Sequence, residues 1–201
     1  MVTDRPSVQE ADRLDRQIAF LMEAERLRGV VRSTPIGDGS RPENSAEHSW
    51  HLALFALVLG EHGPEGIDLN RVIRMLILHD IVEVDAGDHP IHGVVDEASK
   101  AAAELRAADR LYGLLPPDQA AGLRALWDEF EAAETPEAQF ARALDRFQPP
   151  LLNLATDGAN WDRYGVTPEK IEARVAPAVL RGAPALWLWI RPRILGFFAG
   201  R

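Results

Sequence analysis

Apolar residues recur at helical spacing along most of this chain, and short clusters of Gly, Pro, Ser, Asp and Asn separate the segments they mark. From about Val8 to Gly29, Leu14, Ile18, Leu21, Met22 and Leu27 mark one face of an amphipathic first helix, which Gly29 ends. The next stretch, V-V-R-S-T-P-I-G-D-G-S-R-P-E-N, has loop composition and carries Arg32 and Arg41. Asn44, with Glu47 three residues on, is a capping-box signature for a helix over roughly Ser45–His62, whose middle, W-H-L-A-L-F-A-L-V-L-G, is apolar enough to be central. Beyond a loop at 63–67, Asp68 is placed to cap a helix over Leu69–Val84. D-A-G-D-H-P-I-H-G then excludes helix and suits a turn lining a site. Helices follow at about Asp96–Leu114 and Asp118–Ala133, and Thr135-Pro136-Glu137 opens another that reaches about Thr156, with Pro149-Pro150 as the place for a kink. Thr167-Pro168-Glu169 repeats that start signal, and the final apolar run, with Trp187 and Trp189, breaks near Pro177 and Pro192. No alternating strand pattern and no internal repeat appears. The expectation is an all-α single domain over 1–201 with about eight helices.

Composition narrows the function. At 201 residues and 46% apolar, the chain can bury a full core without disulfides. With 22 Lys plus Arg against 31 Asp plus Glu, its net charge of -9 argues against a nucleic-acid polymer as partner and for a small substrate. There is no cysteine, which excludes thiolate nucleophiles and Cys-based zinc sites. Without an apolar signal core or an apolar run of about 18 residues, no membrane is expected as partner, and the chain reads as cytoplasmic.

One stretch stands out chemically. The apolar helix expected over Leu69–Val84 carries His79, Asp80 and Glu83 near its C-terminal end. Such groups are expensive to bury unless paired, and a cation can pair them together. His79 and Glu83 are one turn apart on a shared face, and Asp80 lies about 100° round from His79. Taken alone, the stretch fits equally a core histidine hydrogen-bonded to its own turn.

Three segments in order, R-P-E-N-S-A-E-H-S-W, L-H-D-I-V-E-V-D-A-G-D and T-P-E-A-Q-F-A-R-A-L-D-R-F, resemble the HD-domain metal-dependent phosphohydrolases, more narrowly their 5'-deoxynucleotidase branch. The resemblance covers roughly Leu14 to Gly165, with the helices of 166–201 packing on that core. It implies an HD-type helical bundle and one divalent ion (Mn, Co, Fe, Mg or Zn) held by His48, His79, Asp80 and Asp145, a mixed nitrogen and oxygen set that suits such ions. Asp145 by itself, between Arg142 and Arg146, has the look of a solvated face. The resemblance further implies that Glu83 orients or deprotonates the attacking water, that Asp88 lies near substrate and an arginine, and that Arg32 binds the substrate phosphate. A planar guanidinium is well made for that contact. Lys100 and Glu104 match a K-x-x-x-E pattern in the family's next helix, which implies a substrate contact for Lys100, and are also an i,i+4 pair. The chain departs from the pattern at Ser33, where relatives place tryptophan, so deoxyribose selectivity is expected to be modest. His89 and His92 flank the turn near the site, His51 is one turn from His48, and His62 falls at a helix end.

The function this implies is a phosphomonoesterase acting on nucleoside 5'-monophosphates, as a homodimer. The alternatives are an HD-domain enzyme on another small phosphorylated metabolite, a di-iron oxygenase, which needs bridging ligands beyond the single H…HD…D set, or a non-catalytic metal-containing regulatory domain.

Overall fold

The computed structural model describes residues 8–93 and 96–201. The N-terminal residues read as lacking a signal core, 1–7, and the two valines before Asp96 lie outside them. In order, the elements are α1 (Val8–Glu25), β1 (Val31–Pro35), β2 (Pro42–Asn44), α2 (Ser45–Leu59), α3 (Leu69–Leu78), α4 (Glu83–Ala86), α5 (Glu97–Tyr112), α6 (Pro117–Ala132), α7 (Pro136–Ala155), α8 (Ala159–Arg163), α9 (Pro168–Arg174), α10 (Ala176–Gly182) and α11 (Pro184–Ala199). The all-α expectation holds, with eleven helices among the described residues rather than about eight. The surplus comes from short pieces such as α4 and α8. None of the helices is long and apolar enough to cross a membrane.

The start signals act as expected because each is a local hydrogen bond. Asn44 Oδ1 accepts from the Glu47 amide at 2.9 Å while the Glu47 carboxylate accepts from the Asn44 amide at 3.1 Å. Asp68 caps α3 through the amides of Asn70 and Arg71, and Thr135 and Thr167 cap α7 and α9 ahead of a proline. α7 is the central helix. Its Phe140, Ala141, Ala143 and Leu144 are fully buried, as are Val72, Met75 and Leu76 of α3, and α2, α6, α10 and α11 pack round the pair. Trp187, Ile190 and Ile194 of α11 belong to that same core. α10 lies closest to α7 at Gly182, where an added Cβ would stand 2.1 Å from the Gln139 carbonyl oxygen.

The structure corrects the sequence reading in several places. The stretch from Val31 to Asn44 is a small antiparallel hairpin, with Val31 opposite Asn44 and Pro35 opposite Pro42, not a loop. Its strands are too short and polar to show alternation. α1 docks by its polar face: Arg13 meets Asp118, Arg16 donates to the carbonyls of Gly113, Leu114 and Leu115, and Gln17 meets Gln119. Leu14, Ile18, Leu21 and Met22 are therefore exposed, and only Phe20 and Leu27 of that segment reach the core. α7 and α11 run unbroken through Pro149-Pro150 and Pro192; the break expected near Pro177 falls just before it, between α9 and α10, and a further break falls at Ala183, whose non-helical backbone precedes Pro184. Asp85 and Ala86, read as turn, belong to α4.

The largest departure lies in the chemically important stretch. The helix expected over Leu69–Val84 ends at Leu78, tightens into a 3-10 turn over His79–Val82 and resumes as α4. The carbonyls of Leu78 and His79 accept from Tyr112 Oη of α5 and Trp127 Nε1 of α6, each at 3.2 Å. Two buried side chains from distant helices thus satisfy backbone groups where the regular ladder changes.

Candidate metal centre

α2, the 3-10 turn and α7 bring His48, His79 and Asp145 together, all buried, with their ligand-capable atoms within 4.8 Å of one another. His79 Nδ1 donates to the Leu76 carbonyl at 2.8 Å, the turn hydrogen bond that the bland reading anticipated. That bond fixes the tautomer and leaves the Nε2 lone pair facing the cluster. Nε2 is buried without a hydrogen bond, 3.0 Å from Asp80 Oδ1 and 3.9 Å from Asp145 Oδ1. His48 Nε2 lies 3.0 Å from the same Asp145 oxygen. Two imidazole nitrogens facing carboxylate oxygens in a buried space are well fitted to a divalent cation. Asp145 is buried rather than part of a solvated face, since Arg142 turns away to Glu131 and the Phe130 ring. Burial opposes its charge, but Arg146 and His48 hold its pKa well below the carboxylate range.

Arg32, projected from β1, crosses the open side of this cluster. Its Nη1 donates to Asp80 Oδ2 at 2.9 Å and lies 3.3 Å from Asp88 Oδ1 and 3.7 Å from Glu83 Oε1. Burial works against its charge, and Asp80, Asp88 and Glu83 more than offset it, so the guanidinium stays protonated. For Asp80 burial is likewise outweighed, by His79 and Arg32, which hold it down at about 2. Glu83 goes the other way. Burial and the neighbouring Asp80 push it up to about 9, while its Oε2 accepts from Ser45 Oγ at 2.5 Å. Two carboxyl groups three residues apart are thus shifted in opposite directions, Asp80 below and Glu83 far above the ordinary carboxylate value.

The HD domain family matches residues 24–187. This chain belongs to the HD domain family. The Bos taurus 5'-deoxynucleotidase HDDC2 is 30% identical over 131 residues, 63% of this chain and 62% of that protein, and the Schizosaccharomyces pombe 5'-deoxynucleotidase hdd1 is 27% identical over 136 residues, 65% and 67% respectively. The chain spans a little under two thirds of the length of the Bos taurus relative. A solved structure from Magnetospirillum magnetotacticum, described as a predicted metal-dependent phosphohydrolase, is 45% identical with a TM-score of 0.88, covering 94% of this chain and 96% of that one.

Within this HD domain the other expected residues are spread round the cluster. Asp88 lies against Arg32, and burial raises its pKa. Lys100 sits on the outer wall of the depression that holds His79, Asp80 and Glu83, paired with Glu104 at 3.5 Å. Ser33 lines a neighbouring chamber with His89 and His92. His51 packs edge-on against Phe55 at 4.5 Å, and His62 borders an apolar groove with Phe55 and Trp189, away from the centre. Sequence reasoning missed Glu43, which is 3% exposed and therefore cannot be an ordinary loop carboxylate. Its Oε1 lies 3.3 Å from both His48 Nδ1 and Arg32 Nε, and its Oε2 accepts from Gln148 Nε2 at 2.9 Å. It thereby orients the histidine and the arginine together. Its place between Pro42 and the Asn44 cap is the one local hint that it is rigidly held.

Proposed function

We propose that this HD domain is a divalent-metal-dependent phosphomonoesterase acting on nucleoside 5'-monophosphates. The observation that carries the reading is the Arg32 guanidinium, buried within reach of Asp80, Glu83 and Asp88 and immediately beside the His48, His79 and Asp145 cluster. In this reading His48, His79, Asp145 and Asp80 hold one ion. When bound, such an ion supplies Lewis acidity toward phosphoryl oxygens and makes nearby water more acidic.

Arg32 binds the phosphate. Its fork matches two phosphate oxygens, and the carboxylates that now surround it keep it charged and aimed into the site. Glu83 handles the proton of the attacking water: Ser45 fixes Oε2, so the proton is taken at Oε1, the oxygen that faces Arg32. A general base is most effective when its pKa lies near the working pH, and positive charge held beside Glu83 by the ligand residues would lower its raised pKa in that direction. Asp88 steadies Arg32, and Lys100 on the outer wall adds positive charge toward an incoming anion.

The names of the curated relatives support the nucleotide as substrate. The exposed apolar side chains of α1, together with Leu54, Leu57 and Val58 of α2, support a homodimer, since monomers rarely leave so much apolar surface bare. A cytoplasmic setting remains the expectation. A phosphate-release screen of nucleoside 5'-monophosphates with Mn, Co, Fe, Mg and Zn tests the proposal. Turnover that depends on the added metal and a similar rise in KM for all substrates in Arg32→Ala are the expected results. No phosphate release from any nucleotide with any of these metals would refute it.

A further inference from the structure

Three buried polar atoms beside the candidate metal centre make no well-directed hydrogen bond among the described residues: Arg32 Nε, His48 Nδ1 and Glu43 Oε1. They nevertheless lie together, with the Glu43 oxygen 3.3 Å from each nitrogen. One carboxylate oxygen is therefore placed between two donors with different tasks. His48 turns its other nitrogen to Asp145 and the cluster, and Arg32 turns its Nη1 to Asp80 and Asp88. Buried polar atoms left without a good bond are unfavourable, so an oxygen that serves neither nitrogen fully must be fixed from elsewhere.

The fixing is at the other end of the carboxylate. Glu43 Oε2 accepts from Gln148 Nε2 at 2.9 Å, and because a carboxylate oxygen only accepts, the amide must present its nitrogen there. Gln148 is fully buried in α7, three residues beyond Asp145. The same NH2 group lies 3.4 Å from His51 Nδ1 of α2, which gives its second hydrogen an acceptor. Burial lowers the pKa of His51, which leaves the ring neutral and able to accept, and the ring is itself set edge-on to Phe55 and stacked on Trp50. Gln148 Oε1, by contrast, is buried without a partner among the described residues. For packing alone, a methionine would fill this place without that orphaned oxygen, so what accounts for glutamine here is its nitrogen.

We propose that Gln148 is a positioning residue for both halves of the site: by holding Oε2 it sets Oε1 of Glu43, and through Oε1 it aligns His48 for the ion and Arg32 for the phosphate at once. The inference rests on the roles given above to His48 and Arg32 and adds the group that ties them together. β1 supplies the guanidinium, β2 the carboxylate, α2 the imidazole and α7 the amide, so the brace joins the hairpin to the two helices that carry His48 and Asp145. An imidazole that offers Nε2 to a cation carries its hydrogen on Nδ1, and Glu43 Oε1 is the acceptor beside that atom. The same oxygen restrains Arg32 at Nε, the root of the fork that would seat two phosphate oxygens. Freeing Glu43 therefore disturbs a nitrogen ligand and the phosphate seat together.

The experiment measures two affinities in the natural protein and in Gln148→Met, which roughly keeps the volume and removes the amide. Competition against a calibrated chelator gives the affinity for Mn(II), and calorimetric titration of the Mn-loaded protein gives the affinity for inorganic phosphate. Both should weaken by about tenfold, the lower end of the range for losing an outer partner of a metal ligand. Val179→Ala, in the fully buried face of α10 that packs on α7, is the control for a loosened core: it should lower the unfolding temperature and leave both affinities unchanged. Gln148→Asn, whose amide stops a methylene short of Glu43, carries the test if Gln148→Met fails to fold. Unchanged affinities in a folded variant, weakening of only one of the two, or equal weakening by Val179→Ala overturns the brace and leaves the ion and phosphate roles standing. A natural protein that fails to bind Mn(II) or, once loaded, phosphate overturns those roles and the brace with them.

Discussion

Replacing Glu83 by glutamine should make the metal-free protein more stable and the metal-loaded protein nearly inactive. Glu83 is 8% exposed, and burial together with Asp80 pushes its pKa from 4.5 to about 9. A carboxyl whose folded pKa exceeds its unfolded value binds its proton more tightly in the folded state. Its stabilising contribution is complete below about pH 4.5 and is lost as pH rises toward 9. Through the interval between those values the loss is ~1.4 kcal/mol per pH unit, so three units from pH 5 to 8 amount to about 4 kcal/mol. Water entering round an ionised carboxylate trims this to roughly 2–4 kcal/mol.

Glutamine keeps the shape and the acceptor for Ser45 but cannot ionise. At pH 5 the natural protein and Glu83→Gln should agree within about 1 kcal/mol, as expected for one neutral hydrogen-bonding group exchanged for another. At pH 8 the variant should be the more stable by the full difference. Urea unfolding in the presence of a chelator at pH 5, 6, 7 and 8 measures this. Differencing the two proteins also removes the contribution of His48 and His79, whose pKa values, raised by their carboxylate neighbours against the effect of burial, weaken the metal-free fold at high pH as well. With metal restored, the variant should lose roughly 10²–10⁴-fold in turnover. A gap that stays constant from pH 5 to 8 would show that Glu83 is ionised throughout and held by Arg32, and the assignment of its raised proton affinity would fall. Higher stability with lower activity is the signature of a strained functional group.

Asp80→Ala and Asp145→Asn should each lose the bound ion, and elemental analysis showing stoichiometric metal in either variant would remove that residue from the ligand set. Glu43→Gln should weaken metal affinity by about 10–100-fold, because the His48 ring loses the carboxylate that orients it; competition against a calibrated chelator reads this directly. Gly182→Ala drives a methyl group into the Gln139 carbonyl oxygen and the Ala143 side chain. It should destabilise the fold by about 1–3 kcal/mol, and an unchanged urea midpoint would mean that α10 and α7 separate freely there.

Helix starts were readable along the chain because their causes are local: Asn44, Asp68, Thr135 and Thr167 each close a hydrogen bond to an amide two or three residues ahead. The candidate metal ligands were named through the family resemblance, since the His79-Asp80 stretch by itself fits a core histidine equally well. How they are buried and brought together depends on residues far away in sequence. Asp145 between two arginines gives no local sign of burial, yet α2 and the 3-10 turn close over it, and Arg142 is drawn off by Glu131. The helix over Leu69–Val84 changes its winding at His79, where Tyr112 and Trp127 take up the backbone carbonyls. α1 turns its apolar stripe outward because Arg13, Arg16 and Gln17 find partners on α6 and at 113–115. Glu43 is fixed by Gln148, and Ser33 by Asn160, across 105 and 127 residues. Periodicity and capping act within a turn or two of helix, whereas buried polar groups take whichever partner the packed chain brings within about 3 Å.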